Sequence, residues 1–266
     1  MLSSAKSYVD VQSPIVNQNG YLGGSKIMAA GAHDLIGAEY LTNACADGAT
    51  WEDWCYAVDQ KFCDPLDPVI VAPAGGYKVF GKPELVEGSP FVVYDGVDCE
   101  LNDLADSGRM AVDRLSFSEV RQVDYSMIAL LDTMVSLDLG NTTVAPALEL
   151  MEDNASALYG GYGVISMPRS LLVQAAANRL VFPSPDGGHQ TATGTKVLAT
   201  AQADPVGNRS IYLTGQVTLI QGQVQSHSVP STSYRGEVDC APMRALAERM
   251  YVPLIECMVV KATVLP

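Results

Sequence analysis

The sequence predicts an α+β fold, and three observations lead there. One apolar run at helical spacing covers roughly 116–138. Short β-type runs broken by turn residues lie on both sides of it. Between 145 and 180 a helix, a strand and a second helix follow one another.

Residues 1–48 are rich in small residues, with Asn19-Gly20 and Gly23-Gly24 as turn signals. Only Ala29–Asn43 has weak helical character, so the segment reads as an extended arm held poorly by its own domain. Trp51, Trp54 and Tyr56 open a different texture. Val69-Ile70-Val71, Tyr77–Phe80 and Phe91–Tyr94 are β-type runs, the last stopping at Asp95-Gly96. Pro65, Pro68, Pro83 and Pro90 argue against a central strand and for a projecting two-stranded loop.

The best helical region follows. Val120, Val123, Met127, Ile128, Leu131 and Met134 recur at helical spacing. Ser116 with Glu119 fits a capping box, and Gly140-Asn141 supplies a stop. Ala145–Tyr159 reads as a helix, Gly163–Met167 as a strand and Arg169–Leu180 as another helix. Pro183–Gly188 is a turn-rich loop, Lys196–Thr200 a strand and Asp204–Asn208 a turn. Ile211–Thr214 and Gln216–Ile220 read as strands. Gln221-Gly222 suggests a tight hairpin into Gln223–Val229. Met243–Tyr251 fits helix or strand, and Ile255–Val264 fits strand.

The 266 residues suffice for one large domain or two small ones. Apolar residues make up 48% and charged residues only 17%, below the usual quarter. With a mean hydropathy of +0.12, the chain must hide apolar surface in a large core or in a permanent interface between subunits. Its 30 acidic and 16 basic residues leave a net charge of −14 without a basic run, which argues against sequence-specific nucleic-acid binding. No stretch is apolar for the length of a membrane-spanning helix. Met1–Asp10 lacks the apolar core of a signal peptide, so a cytoplasmic chain is expected.

Sharp catalytic signals are missing. The six cysteines (45, 55, 63, 99, 240 and 257) form no Cys-x-x-Cys pair, and the three histidines lie far apart. Buried reduced thiols are the expectation. Asp95, Asp98, Glu100, Asp103 and Asp106 form an acidic cluster without the spacing of a calcium loop, and it reads as a solvated turn before a helix. No nucleophile elbow occurs, and Gly160–Gly163 precedes a strand instead of following one. No catalytic, cofactor-binding or metal-ligating residue is assigned.

Gly163-Val164-Ile165-Ser166-Met167-Pro168-Arg169 leads from strand to helix. Gly194-Thr195-Lys196-Val197-Leu198-Ala199 is a second strand entry. Ala247-Glu248-Arg249 precedes the closing strand, and Pro90–Gly96 runs on to Cys99. In this order the motifs resemble the Hong Kong 97-type capsid fold of tailed bacteriophages, and the run from Pro90 resembles actinobacterial-phage members. Lys196 stands where the family has proline. The resemblance implies an N-terminal arm over 1–48 and an extended β-hairpin loop over 49–100. It implies a peripheral domain with the long helix over 101–139 and 211–235, and an α/β axial domain over 140–210 and 236–266. Pro183–Gly188 and Asp204–Asn208 would then face a symmetry axis. The function implied is that of a non-enzymatic major capsid protein. Copies would join as hexamers and pentamers, through arm and loop, into an icosahedral head around phage DNA. Further implied partners are separate scaffolding and decoration proteins and the portal; no cofactor or membrane is implied. The chain would reside in the virion after assembly in the host bacterial cytoplasm. Lys78 and Lys82 lie in the loop, but no asparagine follows Asn208, so no isopeptide cross-link is expected. Other readings stay open: a minor capsid or vertex protein, a tail component, an encapsulin-like nanocompartment, a ligand-binding module, or a hydrolase using Asp95–Asp106.

Overall fold

The computed structural model describes residues 19–31, 34, 37–42, 84–99, 107–159, 162–201, 209–230, 243–256 and 258–265. In chain order these form α1 (Tyr21–Gly24), β1 (Lys26–Ala29), β2 (Ala38–Thr42), β3 (Glu84–Gly88), β4 (Phe91–Cys99), α2 (Ser107–Met134), β5 (Leu137–Thr142), α3 (Val144–Leu158), β6 (Val164–Pro168), α4 (Arg169–Ala177), β7 (Val181–Pro183), β8 (His189–Thr191), β9 (Lys196–Thr200), β10 (Arg209–Thr214), β11 (Val217–Gln221), β12 (Gln225–Pro230), β13 (Met243–Ile255) and β14 (Val259–Val264).

Helix α2 is 28 residues long, and its buried apolar row recurs every fourth residue: Ala111, Leu115, Val123, Met127, Leu131. A helix turns once in 3.6 residues, so a row of period four drifts around it. From Ala111 to Leu131 the buried face winds by about 200°. The amino-terminal half of α2 therefore faces one sheet and the carboxy-terminal half another. The first is five-stranded, in the order β1-β11-β13-β12, with β4 on the other side of β13. The second is seven-stranded, in the order β5-β14-β10-β6-β9-β8-β7. A separate pair, β2 and β3, is antiparallel from Ala38↔Gly88 to Thr42↔Glu84. The Tyr40 hydroxyl donates to the carbonyl of Ile255 and anchors this pair to β13.

The central strands of the seven-stranded sheet carry near-continuous buried runs, as a sheet covered on both faces requires. One face packs Ile165, Met167, Val197, Ile211 and Val260 under α3 and α4. The opposite face packs Val164, Leu198, Tyr212 and Val259 with Tyr21 and with Met127 and Leu131 of α2.

Helices α3 and α4 and strands β6, β9, β11 and β14 lie where the periodicity predicts them. Several expectations are corrected. Ala29–Asn43 forms no long helix: it holds the end of β1 and all of β2. Asp95-Gly96 is no turn but the middle of β4, which pairs with β13 from Phe91↔Tyr251 to Cys99↔Met243. β3, where no strand was expected, pairs with β2. Helix α2 begins nine residues before Ser116. Ser116 is no cap: its hydroxyl donates to the Asp113 carbonyl at 2.6 Å, a bond a serine makes inside a helix. α2 also stops before Gly140-Asn141, because Ser136 N–H pairs with the Val259 carbonyl at 2.8 Å and carries the chain onto β14 as β5. Gly140 sits inside that strand with φ +72°, a left-handed conformation glycine adopts without strain. Gln221-Gly222 is no hairpin. β11 and β12 lie end to end against β13, and Gly222 N–H continues the pairing to Met250 at 2.9 Å.

The sequence reading assigned 211–235 to the long-helix unit and 236–266 to the α/β unit. In the structure β10 lies in the seven-stranded sheet and β13 in the five-stranded one. Residues 49–83 and 100 of the loop expected over 49–100, residues 1–18 and 43–48 of the expected arm, and the turn at 204–208 lie outside the described residues.

Leu131 is wholly buried between α2 and the seven-stranded sheet, whereas Leu265 is 46% exposed. Leu131→Ala is expected to lower unfolding free energy by about 3 kcal/mol in urea titrations, and Leu265→Ala by less than about 1 kcal/mol.

Candidate functional site

Polar side chains on α2 hold the layers together, and the first of them fastens the amino-terminal segment. Asp124 is completely buried, on a helix whose neighbouring turns are apolar. Its Oδ1 accepts the backbone N–H of Tyr21 at 2.9 Å, and its Oδ2 accepts that of Ala201 at 2.8 Å. Tyr21 is buried too, and its hydroxyl donates to Ser166 Oγ at 2.8 Å. Gly20 packs directly on the carboxylate: a Cβ there would stand 2.6 Å from Oδ2. Ala199 N–H donates to the Asn19 carbonyl at 3.0 Å. β1 then pairs in parallel with β11 from Lys26↔Thr218 to Ala29↔Gln221. The arm expected over 1–48 is thus corrected for 19–30, which is docked on its own body. A buried tyrosine and paired strand edges outweigh the ordering cost of this glycine-rich stretch.

Burial pushes the Asp124 carboxyl from 3.8 up to about 6, against the two backbone N–H groups and the nearby Arg169 that favour its charge. Burial also raises the Tyr21 hydroxyl, assisted by the charge of Asp124.

Glu119 makes a second connection, to β13. Tyr251 donates to Glu119 Oε1 at 2.8 Å, and Gln221 Nε2 donates to the Tyr251 oxygen at 2.9 Å. Arg249 Nη1 lies 3.1 Å from Glu119 Oε1. Burial pushes Tyr251 up to about 12. Asp132 makes a third connection, to the seven-stranded sheet, taking the Tyr212 hydroxyl at 2.8 Å and Lys261 Nζ at 2.6 Å.

Arg114, Ser118 and Gln122, spaced four apart, form a ladder along β4. Arg114 Nε reaches Asp95 Oδ1 at 3.1 Å, and the same oxygen accepts Gly96 N–H at 2.8 Å. Gln122 Nε2 donates to the Tyr94 carbonyl at 2.9 Å and to Ser118 Oγ at 3.1 Å, while Tyr94 N–H points at Gln122 Oε1 at 3.4 Å. Desolvation works to raise the Asp95 carboxyl, but hydrogen bonds from Ser118, Arg114 and Gly96 hold it below its usual range. Asp95 therefore serves as a bracket between α2 and β4. The side chain of Asp98 and residues Glu100, Asp103 and Asp106 lie outside the described residues. Among the described residues, no three His, Cys, Asp or Glu side chains gather as metal ligands. His227 Nε2 lies 3.4 Å from Glu248, and His189 sits on β8, remote in sequence from any thiol. These groups position backbone and join layers. The signal for Asp124 in the sequence was a lone carboxylate between Val123 and Met127 in an apolar helical run.

No protein-family model matches the chain, and no curated protein matches it. Solved structures do. The chain superposes on the capsid of a native GTA particle with a TM-score of 0.58 at 11% identity, over 100% of this chain and 96% of that one. The capsid of an empty GTA particle gives 0.57 at 10% identity, over 99% and 96%. A chain from Mycobacterium phage Adephagia gives 0.51 at 10% identity, over 100% and 99%. The chain shares their fold. At such identities few side chains are common, so the shared feature is the mixed α and β layout rather than any one residue.

Because the folded state raises the Asp124 pKa, that carboxyl contributes stability below pH 4 that is lost as pH rises through about 6. Relative to Asp124→Asn, the wild-type chain is expected to lose up to about 3 kcal/mol between pH 4 and 7. Urea unfolding of both proteins across that range checks it, and a difference independent of pH would refute it.

Proposed function

We propose that the chain is the structural major capsid protein of a tailed bacteriophage with the Hong Kong 97-type fold. The observation that carries this reading is the likeness to a capsid chain along 100% of this chain and 96% of the other. The order of sequence motifs independently supports it. In this reading the five-stranded sheet with α2 is the peripheral unit, and the seven-stranded sheet with α3 and α4 is the axial unit. The Pro183–Gly188 and Asp204–Asn208 loops face a symmetry axis. Of the extended loop expected over 49–100, β3 and β4 pair with β2 and β13 of the same chain, so in this reading only the part before β3 reaches a neighbouring copy, and residues 1–18 belong to the amino-terminal arm.

The mechanism is assembly. Hexamers and pentamers form from near-identical contacts and close an icosahedral head around DNA in the host cytoplasm. Many modest contacts per copy act together, so the shell is stable although each contact is weak. A net charge of −14 keeps the wall from binding the phosphates inside it. Scaffolding, decoration and portal proteins are the further partners of this reading, and it needs no cofactor or catalytic group.

The purified chain, concentrated alone and with co-expressed scaffolding protein, is expected to form closed shells of hexamers and pentamers in electron micrographs. A chain that stays monomeric by light scattering under every assembly condition would sink the reading. A low copy number in purified particles would reassign it to a vertex or minor component.

A further inference from the structure

The two large sheets are joined by few covalent links, and two of them lie side by side. The chain crosses from β10 to β11 at Gly215-Gln216 and returns between β13 and β14 after Glu256. Gly215 N–H donates to the Glu256 carbonyl at 3.1 Å, and Glu256 N–H to the Gln216 carbonyl at 3.0 Å. Tyr159, at the end of α3, steadies this crossing: its hydroxyl donates to Glu256 Oε2 at 2.7 Å and accepts Gln216 N–H at 3.3 Å. A narrow paired crossing of this kind resists separation but not twist. α2 adds one stiff rod across both sheets.

Residues 19–30 add a further tie, and it touches both sheets. Asn19 bonds to Ala199 near the end of β9 and Tyr21 to Ser166 in the middle of β6, both in the seven-stranded sheet. Five residues later β1 lies along β11 in the five-stranded sheet, and Ala30 N–H closes on the Gln221 carbonyl at 3.0 Å. Asp124 holds the first turn against α2. The middle is less well satisfied, since Ser25 Oγ is buried without a hydrogen-bond partner. Closure is thus driven by the two ends.

We propose that Asn19–Ala30 is a strap fixing the angle between the two large sheets, with Asp124 as its buckle, and that this angle is the one each copy presents to its neighbours. The second half rests on the capsid reading; the first does not. Opening the strap takes β1 off β11 at the edge of the five-stranded sheet, leaves the other strands and the core under α3 and α4 in place, and frees the twist at the Gly215–Glu256 crossing.

Hydrogen–deuterium exchange on the unassembled full chain tests the strap. Asp124→Ala is expected to raise exchange about tenfold in 19–30 and in 217–221, while 144–168 keeps its protection. Asp124→Asn keeps the shape but replaces one acceptor by a donor, and should fall between. Gly20→Ala drives a methyl into the carboxylate and should match Asp124→Ala. Unchanged protection of 19–30, or loss of protection across the whole chain in all three variants, overturns the strap. Particle diameters test the angle: wild-type shells of one size and Asp124→Asn shells of several sizes are expected. A single diameter from a variant whose strap exchanges freely overturns the link to the angle. If the wild-type chain forms no shells, the capsid reading fails while the exchange result still decides the strap.

Discussion

Everything in this molecule is arranged around the pitch mismatch of one helix. A buried row of period four on a helix of period 3.6 cannot face a single partner over 28 residues. Leu115 and Leu131 consequently look in different directions, within one core to which both sheets contribute. The same winding explains why the polar groups of α2 fall into zones. Arg114, Ser118, Glu119 and Gln122 meet β4 and β13, and Asp124 and Asp132 meet the amino-terminal segment and the seven-stranded sheet.

Burying carboxylates on such a helix is expensive, and an apolar isostere would often be more stable. What Asp124 and Glu119 add is discrimination. An apolar contact tolerates sliding, whereas Asp124 takes two N–H groups that must both arrive within about 3 Å of it. Tyr251 between Glu119 and Gln221 fixes β13 and β11 against α2 in the same manner. The carboxylates thus choose one register among the many that greasy surfaces would accept.

Locally encoded elements were legible in the amino-acid order. α3, β6, α4 and β9 each carry their own period and their own stop, and they fold as that period dictates. What stayed hidden depends on partners far along the chain. Tyr21 meets Asp124 across 103 residues, a distance no window of periodicity spans. The collinear β11 and β12 are defined only by the long β13 beside them, so Gln221-Gly222 imitates a turn. Ser116 and Glu119 imitate a cap, but both lie inside α2, and Glu119 is spent on Tyr251. Of the polar groups joining the layers, only Asp124 left a trace, as a charge among valines and methionines. Glu119 and Gln122 look like ordinary surface residues until β13 and β4 arrive.

Among the described residues β4 pairs with β13 alone, so its outer rim ought to be an open row of backbone groups. At its middle it is not: Gln122 occupies the amide and carbonyl of Tyr94, and Asp95 occupies the amide of Gly96. Side chains of α2 impersonate a missing strand. An open strand rim carries the hazard of endless edge-to-edge stacking into fibres. By occupying the middle of this rim, the long helix obstructs that route.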